Sequence, residues 1–145
     1  MPINGFSVGK DVTLDIIHPL TGGLLTIGNI VSFESRQMTV DRNSHGIDGV
    51  NRFLEIPSGW EGSFMLDREN VNFDLFVSIL EAAYYQGVAT PPATITETIT
   101  ETDGTITQFV YTGAMVKFPE LGRWRGDDKV EQRMDFRASK RNQLI

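Results

Sequence analysis

Apolar and polar residues alternate with a period of two over much of the chain, which is the pattern of half-buried β-strands. The first such run covers residues 12–17, and a second β-rich run covers residues 24–33 after a turn that contains Pro19, Gly22 and Gly23. Two shorter runs, residues 52–56 and 60–66, flank a Pro-Ser-Gly turn. The pattern predicts a mainly β domain.

One segment has a helical period instead. Its apolar residues recur at three- and four-residue spacing and predict one buried helical face: Leu75, Phe76, Ile79, Leu80, Ala83 and Tyr84. Asn70 or Asn72 can cap the first turn, where Asp74 also suits the helix dipole. Gly87 stands where a left-handed C-cap belongs. We therefore expect one α-helix over about residues 70–86, packed against the sheet.

Two segments are predicted to project from the domain. Residues 34–51 contain few apolar side chains and are expected to form a long loop. Asp103-Gly104 is a two-residue turn signal for a Thr-rich hairpin over residues 94–112, with Thr102 opposite Thr105 and Glu97 opposite Val110. Neither face of the distal part of this hairpin is apolar enough for a core, so we expect it to project or to pair with another subunit. A solvated surface hairpin is the alternative.

The last strand is predicted to be half-buried. Five alternate residues form its inner face: Val130, Gln132, Met134, Phe136 and Ala138. The outer face alternates in charge from Lys129 to Arg137 and either pairs with a neighbouring subunit or is merely solvated.

Composition and charge add no new element to this prediction, but they exclude several classes of site. The 145 residues suit a single domain, residues 1–145, and the absence of cysteine excludes disulfides and thiolate metal sites. The net charge is −6, with −9 in residues 1–103 and +3 in residues 104–145. The C-terminal bases alternate with acids and form no concentrated patch, which argues against tight DNA binding.

The first nine residues lack the features of a secretory signal, and glycines and a proline interrupt the uncharged residues 16–33. We expect a soluble protein made in a reducing compartment.

The sequence contains only weak matches to catalytic and metal-binding motifs. Ser44, His45 and Asp48 lie within one segment, whereas a catalytic triad needs groups brought together from separate rigid elements. A partial calcium-loop match that starts at Asp41 fails at its twelfth position, Arg52. We therefore expect no enzyme activity, no cofactor and no metal. Trp60 suits a core position, and Trp124, between Arg123 and Arg125, suits an interface.

A family resemblance accompanies these elements. The run Gly49-Val50-Asn51-Arg52-Phe53-Leu54-Glu55-Ile56-Pro57-Ser58-Gly59-Trp60-Glu61-Gly62-Ser63-Phe64 resembles a segment of the tail tube proteins of contractile-tailed bacteriophages. The helix with Glu81-Ala82-Ala83-Tyr84-Tyr85, the Thr-rich hairpin and the closing strand over residues 129–141 are similar to the rest of such a protein, in the same order.

The resemblance implies a β-sandwich or barrel-like tail tube fold with one flanking helix. It implies hexameric rings that stack into a hollow tube, with sheath, baseplate and tail terminator proteins as partners. Duplex DNA would pass through without specific binding, and the protein would not insert into a membrane. It would be made in the host bacterial cytoplasm and end in the virion tail. The alternatives are a terminator or adaptor ring protein and a monomeric β-sandwich binding module.

Two sets of residues are expected to carry this role. The expected contacts between subunits are Arg36, Arg42, Asp48, Arg52, Glu97, Glu101, Arg123, Trp124, Arg125, Arg133 and Arg137. Because an acidic bore repels phosphate, the acids expected to face the lumen are Asp11, Asp15, Glu55, Glu61 and Glu69.

Overall fold

The computed structural model describes residues 5, 12–20, 23–25, 29–69 and 71–144. Within them the elements follow in the order β1 (Val12–His18), β2 (Gly23–Leu25), β3 (Asn29–His45), β4 (Asn51–Asp67), α1 (Asn72–Tyr85), β5 (Ala93–Thr100), β6 (Ile106–Glu120), β7 (Glu131–Ala138) and β8 (Lys140–Gln143). The prediction of a mainly β domain with one helix is confirmed.

All the strands belong to one antiparallel sheet with the order β2-β1-β5-β6-β7-β4-β3, and β8 also pairs with β6. The long strand β6 belongs to both halves of this sheet. Up to Ala114 it pairs with β5 and β8, and from Met115 it pairs with β7. Gly113, at the change, has φ of +66°, and a Cβ there would lie 2.7 Å from Ser139 Oγ. Only glycine meets both conditions without strain.

The two halves of the sheet face each other across one aromatic core. Phe33 stacks on Phe136 with ring centroids 6.1 Å apart, and Tyr111 from the other half meets Phe136 edge-on at 5.4 Å. The helix covers this core through Phe73 and Phe76. The architecture is the expected β-sandwich or barrel-like fold with one flanking helix.

The helix ends as predicted and begins differently. Gly87 has φ of +82°, and its N–H donates to the Tyr84 carbonyl at 3.0 Å while the Val88 N–H donates to the Ala83 carbonyl at 3.0 Å. This is a Schellman C-cap. At the other end the N-cap is Val71 with no side-chain cap bond, and Asn72 is the first helical residue. Asn70 lies outside the described residues.

The predicted buried face of the helix is only partly right. Phe73, Phe76 and Leu80 are the buried residues, while Leu75 and Ile79 are exposed. Apolar residues occupy more of the helix circumference than the sheet can cover, so spacing alone did not select the buried face. In the part of the chain that the structure describes, no helix is long and apolar enough to span a membrane.

The predicted loop over residues 34–51 is wrong. Those residues belong largely to β3, which pairs with β4 along 17-residue strands from Asn29–Asp67 to His45–Asn51. Backbone hydrogen bonds hold this ladder, and they do not require apolar side chains. The predicted Pro-Ser-Gly turn is also wrong. Met38 pairs with Gly59 and Thr39 with Pro57, so Ser58 is an extra residue in a β-bulge.

The Thr-rich hairpin forms, with a register one residue away from the prediction. Thr100 pairs with Ile106 and Glu97 with Phe109, because the loop has three residues and ends at Gly104, whose φ is +89°. Most of the hairpin does not project, since β5 also pairs with β1 along residues 94–99. The turn at its tip, residues 101–105, joins the ends of β5 and β6.

Candidate assembly surfaces

The distal half of the β3–β4 hairpin, residues 39–58, is mostly exposed and is here called the arm. Phe53 is 77% exposed, Leu54 58% and Ile56 44%. The arm has no further strand on either side among the described residues. A two-stranded ribbon is marginally stable in water on its own. Its exposed apolar residues, which lie on both faces, therefore suit contact with a partner.

The two faces of the arm differ in charge. Residues directly opposite in an antiparallel pair share a face, and Asp41 pairs with Glu55 while Asn43 pairs with Phe53. These four residues form the acidic face. The opposite face carries Arg42 and Arg52 together with apolar residues Val40, Leu54 and Ile56.

The arm tip is fixed by one carboxylate. Asp48 accepts hydrogen bonds from the Val50 N–H at 3.0 Å and from the Arg52 guanidinium at 3.1 Å. Both bonds lower the pKa of Asp48, and the bond from the Val50 N–H has the larger effect. The Gly49 N–H closes the turn on the Gly46 carbonyl at 3.0 Å. Asp48 and Arg52, expected as contacts between subunits, are thus already paired with each other.

A charged groove of about 280 Å³ lies on the outer face of β3, β4, β7 and β6. Glu61 forms ion pairs with both Arg36 and Arg137. Arg133 pairs with Asp135 at 3.0 Å. The alternating charges predicted for β7 therefore lie on one exposed face, where much of the charge is neutralised within the subunit.

The β6–β7 loop presents an exposed aromatic residue. Trp124 is 72% exposed, and the Arg68 guanidinium lies 5.5 Å from its ring centroid. Arg68 itself pairs with Asp74 at 3.0 Å. Arg123 and Arg125 form no ion pair with any residue in the described ranges. The position of Trp124 fits the interface role that its sequence context indicated.

Glu97 was expected at a contact between subunits, and the structure places it inside the domain. It is 6% exposed and lies 3.6 Å from Arg141 Nη2. Burial raises the pKa of Glu97, and the charge of Arg141 opposes that rise. Glu97 is therefore not available to a neighbouring subunit. Glu97 lies on the same face of β5 as the buried residues Ala93 and Ile95, and the Thr-rich sequence did not indicate that this face is covered.

Arg141 has a central structural position that the sequence pattern did not indicate. Its guanidinium lies 3.5 Å from the Phe109 ring centroid and 4.8 Å from that of Trp60, and its Nε donates to Tyr111 Oη at 3.2 Å. Tyr111 in turn donates to Ser35 Oγ at 2.9 Å. Arg141 thus joins β8 to both halves of the sheet.

The remaining expected residues are scattered. Glu101 accepts a hydrogen bond from Thr107 Oγ1 at 2.8 Å near the hairpin tip. Asp15 is partly buried on β1, and Glu69 is exposed after β4. Asp11 lies outside the described residues. Of the four expected lumen acids that the structure describes, Glu55 lies on the arm and Glu61 in the charged groove, so these four acids do not share one surface.

No family model and no curated protein matches the sequence. Solved structures do match over nearly the whole chain. A chain of an extracellular contractile injection system, from the PVC sheath-tube complex in the extended state, is 9% identical with a TM-score of 0.64, over 99% of this chain and 94% of that chain. A chain of the anti-feeding prophage baseplate is 11% identical with a TM-score of 0.56, over 98% and 97%. A chain of the PVC sheath/tube terminator is 11% identical with a TM-score of 0.56, over 100% and 98%. The chain therefore has the fold found in these components of contractile injection systems, as the resemblance implied.

Proposed function

We propose that this protein is a structural subunit of a contractile tail, whose copies form hexameric rings stacked into the inner tube. The fold supports a tail component, and the uncovered arm supports self-assembly. An exposed two-stranded ribbon that carries Phe53, Leu54 and Ile56 gains its stability from a neighbour. The arm is the observation that carries the proposal.

Free strand edges supply the contacts within a ring. In the half-sheet β6–β7–β4–β3, β3 has no partner on its outer side among the described residues, and neither has the end of β6, residues 115–120. Pairing of β3 from one copy with β6 of the next uses two different surfaces. Such a heterologous contact generates a ring when its rotation closes.

In this arrangement the outer face of the half-sheet lines the bore. Glu61 would then face the lumen together with Arg36 and Arg137, its partners. The groove is lined by three acids and four bases. We propose a bore of nearly balanced charge, which neither holds nor strongly repels the phosphates of duplex DNA during passage. This revises the expectation of an acidic lining.

Shortening the arm tests the proposal. Deletion of residues 40–43 and 53–56 removes four cross-strand pairs and keeps the tip and the strand parity. The parent is expected to form tubes visible by negative-stain electron microscopy, and the shortened chain is expected to remain folded without forming tubes. Replacement of Thr102 by Ser at the other hairpin tip is the control and should leave tube formation unchanged.

Three results would contradict parts of this proposal. Tubes from the shortened chain would show that the arm has no assembly role. A parent that stays monomeric at all concentrations in sedimentation would favour the binding module. A parent that forms single rings only would favour a terminator or adaptor role, which the structural match to the PVC terminator also supports.

A further inference from the structure

We infer that the acidic face of the arm, Asp41, Asn43, Phe53 and Glu55, docks on the Arg123-Trp124-Arg125 segment of a second copy stacked end to end. This inference rests on the proposed function and names the contact between successive rings. The partner is a second copy of this chain because both complementary surfaces occur on one subunit.

The two surfaces lie at opposite ends of β4. The first residues of β4 belong to the arm. The loop with Trp124 lies beside the last residues of β4, since the N–H of Arg68, which follows β4, donates to the Val130 carbonyl at the end of that loop at 2.8 Å. A strand of 17 residues is about 55 Å long. A surface at one end that fits a surface at the other end gives a head-to-tail contact, which repeats without limit along one direction.

The acidic face has a charge that the subunit itself leaves unbalanced. Asp41 and Glu55 are directly opposite each other on one face and both are exposed. Like charges in this position destabilise the ladder. Neither carboxylate forms an ion pair with a residue that the structure describes. A cationic partner would remove this repulsion, and the exposed Phe53 beside them supplies apolar contact.

The receiving segment has the complementary chemistry. Arg123 and Arg125 flank Trp124, and guanidinium groups bind carboxylates in bidentate geometry. The loop also contains Asp127 and Asp128, and the Asp128 N–H closes a turn on the Arg125 carbonyl at 2.8 Å, but neither carboxylate forms an ion pair with Arg123 or Arg125. The opposite face of the arm carries Arg42 and Arg52 and would repel the two arginines. Charge therefore selects the acidic face.

Charge reversal with rescue tests the contact in the full chain. The arm variant is Asp41→Lys with Glu55→Lys, the loop variant is Arg123→Glu with Arg125→Glu, and the combined variant carries all four changes. Glu81→Lys reverses an exposed helical acid and serves as the control. Tubes and rings are counted by electron microscopy, and folding is checked by thermal unfolding.

We expect the arm and loop variants to form rings but at least about tenfold fewer tubes, and the combined variant and the control to form tubes as the parent does. Parent-like tubes from either double variant would overturn the docking contact while leaving the proposed function standing. Failure of the combined variant to regain tubes would overturn the charge pairing. A parent that forms neither rings nor tubes would overturn the proposed function and this inference together.

Discussion

Replacement of Arg141 by Gln should strongly destabilise the folded subunit. The change removes the cation beside the buried carboxylate of Glu97 and the contacts of the guanidinium with Phe109 and Trp60. Loss of one partner of a buried ion pair costs about 3–5 kcal/mol. The side chain of Arg141 is 23% exposed, so we take about 3 kcal/mol for this loss. The lost cation–π contacts add about 1 kcal/mol.

Urea unfolding followed by tryptophan fluorescence measures this effect. With a slope of about 2 kcal/mol per molar urea, a loss of about 4 kcal/mol lowers the unfolding midpoint by about 2 M. Lys140→Gln, in the same strand and exposed, is the control and should change stability by less than about 0.5 kcal/mol. Adding Glu97→Gln to Arg141→Gln should recover part of the loss, because no charge then remains buried without a partner.

The loss should also depend on pH in a defined direction. Burial raises the pKa of Glu97 and Arg141 opposes that rise, so the variant raises the pKa of Glu97 further. A folded-state pKa above the unfolded value of about 4.3 favours the protonated folded form at low pH. The stability difference between parent and variant should therefore be smaller at pH 5 than at pH 8. A loss below about 1 kcal/mol at pH 8, or a loss that grows on acidification, would refute the reasoning.

Four further outcomes are expected. Gly62→Ala should lower the free energy of unfolding by about 1–3 kcal/mol or more in urea unfolding, because the new Cβ would clash with the Glu34 carbonyl oxygen. Phe136→Ala should lower the free energy of unfolding by about 3–5 kcal/mol in the same measurement, since Phe136 is buried against three aromatic rings. Assembled tubes should show no micromolar duplex DNA binding in a low-salt filter assay, because three acids nearly balance the four bases that line the groove. Tubes should dissociate into rings as salt rises towards 1 M, because an exposed charge contact is screened within about 3 Å there, and light scattering should follow this change.

The elements that periodicity marks clearly were predictable from the sequence. The strand at residues 12–17, the helix with its Gly87 cap and the alternating face of β7 all follow from side-chain spacing. In β1 and β7 the apolar side packs on the core, so burial and pattern agree there. The helix agrees only in part, because Leu75 and Ile79 are exposed. The fold class followed from the order of the elements together with the resemblance.

The arm could not be predicted because burial does not define it. Its residues carry charges, polar groups and exposed apolar groups on both faces, so no face of the pattern indicates a core. Its strand geometry comes from the ladder with the opposite strand, which continues through the bulge at Ser58. Pro57-Ser58-Gly59 has turn composition, and a bulge uses the same residue types as a turn.

The contact residues were harder to assign than the fold because the sequence shows charge but not pairing. Glu61 was expected in the lumen and Arg137 at a contact between subunits, yet the two form an ion pair with each other. The tip pair Asp48–Arg52 shows the same problem over four residues. A charge that is paired within the subunit has less to gain from a partner.

Ion pairs within the subunit leave only some of the charged side chains free to contact another subunit. The base-rich segment from residue 104 contributes Arg137 to Glu61, Lys129 to Asp67 and Arg141 to Glu97, all acids of the acidic segment before it. Much of the opposite charge in the two segments is therefore used in folding one subunit. The arginines beside Trp124 and the acids of the arm are left out of these pairs. Because Arg123 and Arg125 lie near one end of β4 and Asp41 and Glu55 lie at the other, charges of opposite sign that the described residues leave unpaired are separated along the strand direction.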